Sequence, residues 1–239
     1  MIVQEDGDSL LLITQPDHGR LAEEIVSAIR TEPALEGAGR HTVLLATREH
    51  DNGWMEVDAE ATVDPATGRP YDFIAGPASV KHELWPRGVA RIAKANLRAG
   101  ALIAQHAITV YSYRRGEPDW ASFFASITAM RDDLLRQLGA FDGSPRESFD
   151  REYRCVRLGD LFSLHFCNGW REPQQALGYR TELRGRTLLV SPDPFAGAGV
   201  PLRVMARRIP ARPYEDDADL RATLAACVPE FLDGDARGL

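Results

Sequence analysis

The feature that most restricts the fold of this sequence is a set of apolar helical stripes, each interrupted by a histidine or an aspartate. Residues three and four positions apart share one face of a helix, so an apolar stripe marks the side that faces the core. The first stripe consists of Thr14, His18, Leu21, Ile25 and Ile29. Four further helical segments repeat the pattern, with these residues in or directly beside their stripes: His50 and Asp51, His82, His106, and Asp160.

A shared cation is the simplest explanation for these buried polar side chains. One histidine in an apolar stripe is usually an ordinary core residue, but an uncompensated buried carboxylate costs several kcal/mol. A cation satisfies neutral imidazole nitrogens and ionised carboxylates at the same time. Donors of this kind, without thiolate, suit iron, manganese, zinc or cobalt and disfavour calcium or a structural zinc site. Among the divalent ions we expect iron or manganese rather than zinc or magnesium. Six ligands exceed the four of a tetrahedral ion, which predicts two divalent metal ions bridged by a carboxylate.

Composition and charge narrow the partners of the chain. The formal net charge is -7, and no segment collects Lys and Arg, which argues against nucleic acid or an anionic membrane as the main partner. The first residues are acidic, unlike a signal peptide, and no apolar run reaches the roughly 18 residues of a membrane-spanning helix. The three widely spaced cysteines indicate neither a disulfide framework nor a cysteine zinc site. We therefore expect a cytoplasmic protein with a small-molecule substrate and leave its oligomeric state open.

Periodicity predicts a mainly α fold in a single domain, residues 1–239. Helical patterns occupy residues 14–168, interrupted by a long loop at 56–78 that contains Asp64-Pro65 and Gly68-Arg69-Pro70. Residues 1–13 read as a hairpin, and strand-like segments near 180–190 and 202–210 precede one last helix. We expect a helical core with a small antiparallel sheet formed by the N- and C-terminal segments, 1–13 and 170–239.

The ordered ligand series resembles that of the HD-domain metalloenzyme superfamily over residues 14–168. The segment from Glu49 to Trp54, Glu-His-Asp-Asn-Gly-Trp, resembles the superfamily's signature step, which often reads His-Asp-x-Gly-Lys. The resemblance implies an HD-domain-like helical core in which one metal is bound by His18, His50, Asp51 and Asp160. It also implies that Asp51 bridges to a second metal, held by His82 and His106.

The whole chain is also similar to a bacterial family known only as a domain of unknown function. The stretches that carry this similarity are residues 13–18, 48–54 and 64–73. This likeness implies neither a reaction nor a substrate.

The leading functional hypothesis is a metal-dependent phosphohydrolase acting on a small phosphorylated or nucleotide substrate. Two ions would lower the pKa of a bound water towards about 7 and align the phosphate oxygens. Asp51 is the expected catalytic centre, and Glu49, or else Asp17, the expected proton shuttle. Trp54 stands where phosphohydrolase members often place a phosphate-binding Lys. Substrate binding is therefore predicted for Trp54 and for basic residues: Arg48, Arg69, Lys81 and, as a further candidate, Arg87.

Two alternatives remain open from the sequence. The same six ligands could hold a mixed-valence di-iron centre that activates dioxygen on a small polyol or phosphonate. The absence of the phosphate-binding Lys fits that reading. The chain could also be a non-catalytic metal-binding or sensing module that retains the helical fold.

Overall fold

The computed structural model describes residues 1–239 and contains eight α-helices and seven β-strands. The helices span Gln15–Ala28 (α1), Arg40–Arg48 (α2), Met55–Ala59 (α3), Ala78–Ala93 (α4), Leu97–Val110 (α5), Ala121–Gln137 (α6), Gly143–Asn168 (α7) and Asp217–Ala226 (α8). The strands span Ile2–Asp6 (β1), Ser9–Ile13 (β2), Gln174–Ala176 (β3), Tyr179–Arg184 (β4), Thr187–Ser191 (β5), Val200–Pro210 (β6) and Glu230–Gly238 (β7).

Helix boundaries follow local capping chemistry. The Thr14 side chain accepts a hydrogen bond from the backbone N–H of Asp17, and Pro16 occupies the first turn of α1. Helix α7 ends at Gly169, whose φ of 62° belongs to the left-handed region that glycine tolerates. The predicted long loop over 56–78 overlaps the short helix α3, which begins at Met55, and contains a bridge between Val63 and Pro70.

The sheet corrects the predicted fold class, because it is neither small nor wholly antiparallel. Seven strands join in the order β1-β2-β6-β7-β5-β4-β3. All neighbours are antiparallel except β5 and β7, which run parallel. The sequence pattern missed β7, although it lies inside the sheet, because charged residues dominate this strand and only Leu232 and Ala236 are buried. The expectation of a small antiparallel sheet, and with it an all-α description, is wrong.

The two faces of the sheet bury different residues. On β2, Leu11 and Ile13 join the large core with the helices, whereas Leu10 and Leu12 belong to a small cluster on the opposite face. That small cluster includes Leu220 of α8. Helices α1 and α7 therefore pack on one face, where they carry the polar residues of their stripes into the core. None of the helices combines the length and apolar character needed to cross a membrane.

Candidate metal centre

Four of the predicted ligands converge in the core. Helix α1 carries His18, the segment after α2 carries His50 and Asp51, and α7 carries Asp160. The Nε2 atoms of His18 and His50 are 3.2 Å apart, and Oδ1 of Asp160 is 3.4 Å from each of them. Oδ2 of Asp51 is 3.3 Å from Nε2 of His50. One ligand atom from each residue lies within 4.8 Å of the others, and we call these four residues the ligand group.

Glycines allow the helices to come this close. A Cβ at Gly19, next to His18, would overlap the carbonyl oxygen of Arg48, and a Cβ at Gly159, next to Asp160, would lie 2.7 Å from Thr47 and Val26 side-chain carbons. Small residues at such positions let two helix backbones approach more closely than side chains would permit. The sequence places a glycine directly beside a ligand on α1 and again on α7. The pattern of apolar stripes gave these glycines no role.

The hydrogen bonds of His50 fix its tautomer. Its Nδ1 lies 2.6 Å from the backbone oxygen of Thr47, which can only accept, so Nδ1 carries the proton. In the neutral ring, Nε2 then presents a lone pair to the ligand group. A histidine that donates from one ring nitrogen to a backbone carbonyl and binds through the other is the usual arrangement at protein metal sites.

The two buried carboxylates of the ligand group favour a positive charge beside them. Burial opposes charge on His50, but the carboxylates of Asp51 and Asp160 raise its pKa well above the ordinary value. Burial likewise opposes charge on Asp160, yet hydrogen bonds from His18 and His50 hold its pKa well below the usual range. Two buried carboxylates therefore favour a bound cation, which can be a proton or a metal ion. With two imidazole nitrogens, two carboxylates and no thiolate, the group fits a divalent metal ion.

His106 borders the ligand group, whereas His82 does not reach it. The His106 ring centroid is 4.8 Å from that of His50, and its Nε2 is 3.7 Å from Oδ2 of Asp160. Burial lowers the pKa of His106 to about 3, against the opposing effect of Asp160, so its ring is neutral. The His82 ring packs against Trp120 at 4.5 Å and Phe123 at 5.3 Å. The α4 side chain that faces His106 is instead Trp85, with ring centroids 5.9 Å apart.

A cavity of about 190 Å³ lies against the ligand group. Asp51, His106 and Asp160 form part of its wall, and two cationic side chains also line it: Arg157 and Lys81. Arg157 donates a hydrogen bond to Oδ2 of Asp160. Six aromatic side chains complete much of the wall: Trp54, Phe73, Trp85, Tyr111, Tyr113 and Trp170.

A larger cavity of about 460 Å³ lies between α3, α8 and β6 and contains no such ligand group. Its only carboxylate, Asp58, is already paired with the amino group of Met1 at 2.5 Å and accepts from the backbone of Gln15 at 2.6 Å. The smaller cavity is therefore the better candidate for chemistry.

Several residues predicted to act on substrate lie elsewhere. Glu49 accepts a hydrogen bond from Nε of Arg48 at 2.9 Å, and both side chains are partly exposed. Arg69 pairs with Glu5 on β1. The additional candidates Asp17 and Arg87 pair with Arg20 at 2.8 Å and with Glu56 at 3.2 Å, respectively. Of the predicted substrate-binding residues, only Trp54 and Lys81 line the cavity.

Sequence reasoning also missed residues that line the cavity. Arg157 precedes Asp160 by three positions on the same face of α7, a spacing that could have marked it as a partner. Trp170 follows Gly169 at the end of α7, where helical periodicity no longer predicts which way a side chain points. Tyr111 likewise follows the end of α5 and accepts a hydrogen bond from Nε1 of Trp85 at 3.2 Å.

Comparisons with known proteins place the chain without assigning an activity. No curated protein and no solved structure matches it. A family model described as "Protein of unknown function (DUF3891)" matches residues 1–211. The match covers most of the 239 residues and includes the whole ligand group. The chain therefore belongs to the DUF3891 family.

Proposed function

We propose that this protein is a metal-dependent phosphohydrolase that acts on a small phosphorylated substrate in the cavity beside the ligand group. One observation carries the proposal: His18, His50, Asp51 and Asp160 converge, fully or almost fully buried, where a cavity also presents the guanidinium of Arg157. A cation site and a fixed positive charge at one end of a cavity suit a phosphate ester.

Each part of the site has a physical role in this proposal. A divalent ion held by the four ligands would lower the pKa of a bound water and polarise the phosphate. Arg157 presents donors beside Asp160, where negative charge on the phosphate oxygens would develop, and a planar guanidinium matches phosphate geometry. His106, neutral and next to Asp160, is available as a further nitrogen ligand.

The proposal includes three further features predicted from the sequence: a second metal ion, the choice of iron or manganese, and membership of the HD-domain superfamily. A proton-shuttle role for Glu49 has no support from its geometry, because its carboxylate pairs with Arg48. We therefore place the essential carboxylates at Asp51 and Asp160.

Substitution of Asp51 tests the proposal. Metal-loaded wild type should release phosphate from general phosphomonoester substrates, and Asp51→Ala should abolish that release. Glu49→Gln is the matched control, since it removes a neighbouring carboxylate that lies outside the ligand group, and its turnover should stay at the wild-type level. Unchanged turnover in Asp51→Ala would exclude the site, and loss of turnover in Glu49→Gln would restore the shuttle role.

The oxygenase alternative ranks second because it needs two irons with both His82 and His106 as ligands. Only His106 lies beside the ligand group. Iron in the purified protein together with a mixed-valence electron paramagnetic resonance signal would reverse this order. A non-catalytic module ranks third, since it gives no reason for a cavity beside the ligand group.

A further inference from the structure

Lys81 is a buried cation in the cavity wall with no carboxylate partner. The residue is only 5% exposed, and no carboxylate oxygen lies within 4.0 Å of its ammonium group. Its Nζ donates one hydrogen bond, of 2.7 Å, to the backbone oxygen of Ile74. An ammonium group has three donors, and a carbonyl does not neutralise its charge. The Tyr111 ring, 5.8 Å from Nζ, and the charge of Asp72 offset part of the cost of burying this charge, and an anion in the cavity would offset more of it.

The charged neighbours of Lys81 lie outside the ligand group. Burial lowers the pKa of Lys81, and the charges that also shift it are those of Arg114 and Asp72. Neither of these residues belongs to the ligand group. The cavity therefore has one cationic residue beside the ligand group, Arg157, and a second one, Lys81, whose charged neighbours lie outside that group.

The wall and volume of the cavity restrict which molecules can contact both cationic residues. Trp54, Trp85, Tyr111 and Trp170 contribute flat aromatic surfaces, on which a ring can stack. The volume, about 190 Å³, lies below the lower end of roughly 300 Å³ that is usual for pockets of drug-sized ligands. A single ring with small substituents is therefore a better match than a complete nucleotide.

We propose that the substrate is a small aromatic phosphoester with a carboxylate at the end remote from the ester, and that Lys81 binds this carboxylate. The proposal rests on the proposed function for the identity of the reacting group. Recognition of the second anion rests separately on Lys81 and the aromatic wall. It adds a specificity-determining residue to the site and disfavours nucleotides as substrates.

Binding of two stable phosphonates to the metal-loaded protein tests the proposal by isothermal titration calorimetry. The pair is benzylphosphonate and 4-carboxybenzylphosphonate, which differ only in the carboxylate. Wild type should bind the carboxylated compound roughly 10- to 100-fold more tightly, the range expected for one charge-assisted hydrogen-bonded contact. Lys81→Met should remove this preference between the two compounds, whereas Lys81→Arg should keep part of it.

The only other lysine provides a matched control. Lys94 is exposed at the end of the same helix, and Lys94→Met should retain the full preference. Equal affinity of wild type for the two compounds, no binding of either, or a preference that survives in Lys81→Met would each overturn the proposal. A Lys81-dependent preference without any phosphate release from 4-carboxyphenyl phosphate would instead overturn the phosphohydrolase function and leave the recognition intact. Phosphate release without a preference for the carboxylated compound would leave the phosphohydrolase function intact and overturn the recognition of a carboxylate by Lys81.

Discussion

Substitution of Gly53 by alanine should separate the segment that carries Asp51 from helix α4. A Cβ at Gly53 would lie 2.5 Å from the carbonyl oxygen of Leu84, whereas real contacts of this kind stay above 3.0 Å. On the α4 side, Gly88 faces the same contact, so its own Cβ would lie 3.0 Å from the nitrogen of Gly53. Since the obstructing atom is backbone, no change of rotamer relieves the overlap. Helix α4 must therefore move by at least about 0.5 Å.

The expected loss of stability is the difference between two effects. Overpacking of this kind costs ~1–3 kcal/mol. Replacing glycine restricts the unfolded chain and returns ~0.4–1 kcal/mol. From the midpoints of these two ranges, we expect Gly53→Ala to lower the free energy of unfolding by about 1.3 kcal/mol, measured by urea denaturation. Metal affinity should also fall by roughly 10- to 100-fold, because Asp51 is two residues away and functional sites tolerate only about 0.5 Å of displacement.

Gly199→Ala is the matched control for this experiment. Gly199 is exposed, and no atom lies within 4 Å of the position that an added methyl group would occupy, so only the effect on the unfolded chain remains. This variant should be as stable as wild type or slightly more stable. The close approach of the two segments would be refuted if Gly53→Ala behaved like Gly199→Ala in both stability and metal affinity.

Three further predictions concern other side chains around the site. Arg157→Met should lower phosphate turnover by roughly 10²- to 10³-fold in steady-state kinetics while metal is still bound, and equal turnover would remove Arg157 from the mechanism. His82→Phe should leave metal stoichiometry and affinity unchanged in a metal titration; loss of one ion would instead support a second metal at His82. Burial lowers the pKa of His165 despite its hydrogen bond to the Trp170 carbonyl, so stability should fall as the pH drops below 6.5, where the unfolded chain binds the proton more tightly. In denaturation of the chelator-treated protein, His165→Gln should reduce this loss by at most ~1.4 kcal/mol per pH unit, whereas the exposed-site variant His41→Gln should not.

The sequence was informative about the ligand group because burial of polar residues follows from helical spacing. His18 and Asp160 lie in apolar stripes, and the structure buries both at one point. The same spacing identified the face of His82 but not its neighbours, since Trp85 one turn later is the residue that faces His106. Periodicity thus indicates which side of a helix is buried and not what that side contacts.

The sheet and the cavity show why other features could not be predicted. Strand β7 lies between β5 and β6 and forms its ladder through the backbone, so its charged residues give no alternating apolar pattern. Trp170 lines the cavity but lies after the end of α7, where neither the helical nor the strand periodicity predicts the direction of a side chain. Lys81 was predicted to bind substrate, but its burial was not, because its contact with Ile74 of the 56–78 segment depends on tertiary packing.

The metal content of the purified protein tests the central proposal most directly. Protein prepared without a metal-chelating tag should contain at least one divalent transition-metal ion per chain by elemental analysis. Asp160→Asn should lose that ion, because the substitution removes a buried charge 3.4 Å from the Nε2 atoms of both His18 and His50. Wild type that holds no metal, even after incubation with iron, manganese or zinc, would contradict the proposal. Full retention of the metal in Asp160→Asn would contradict the placement of the site.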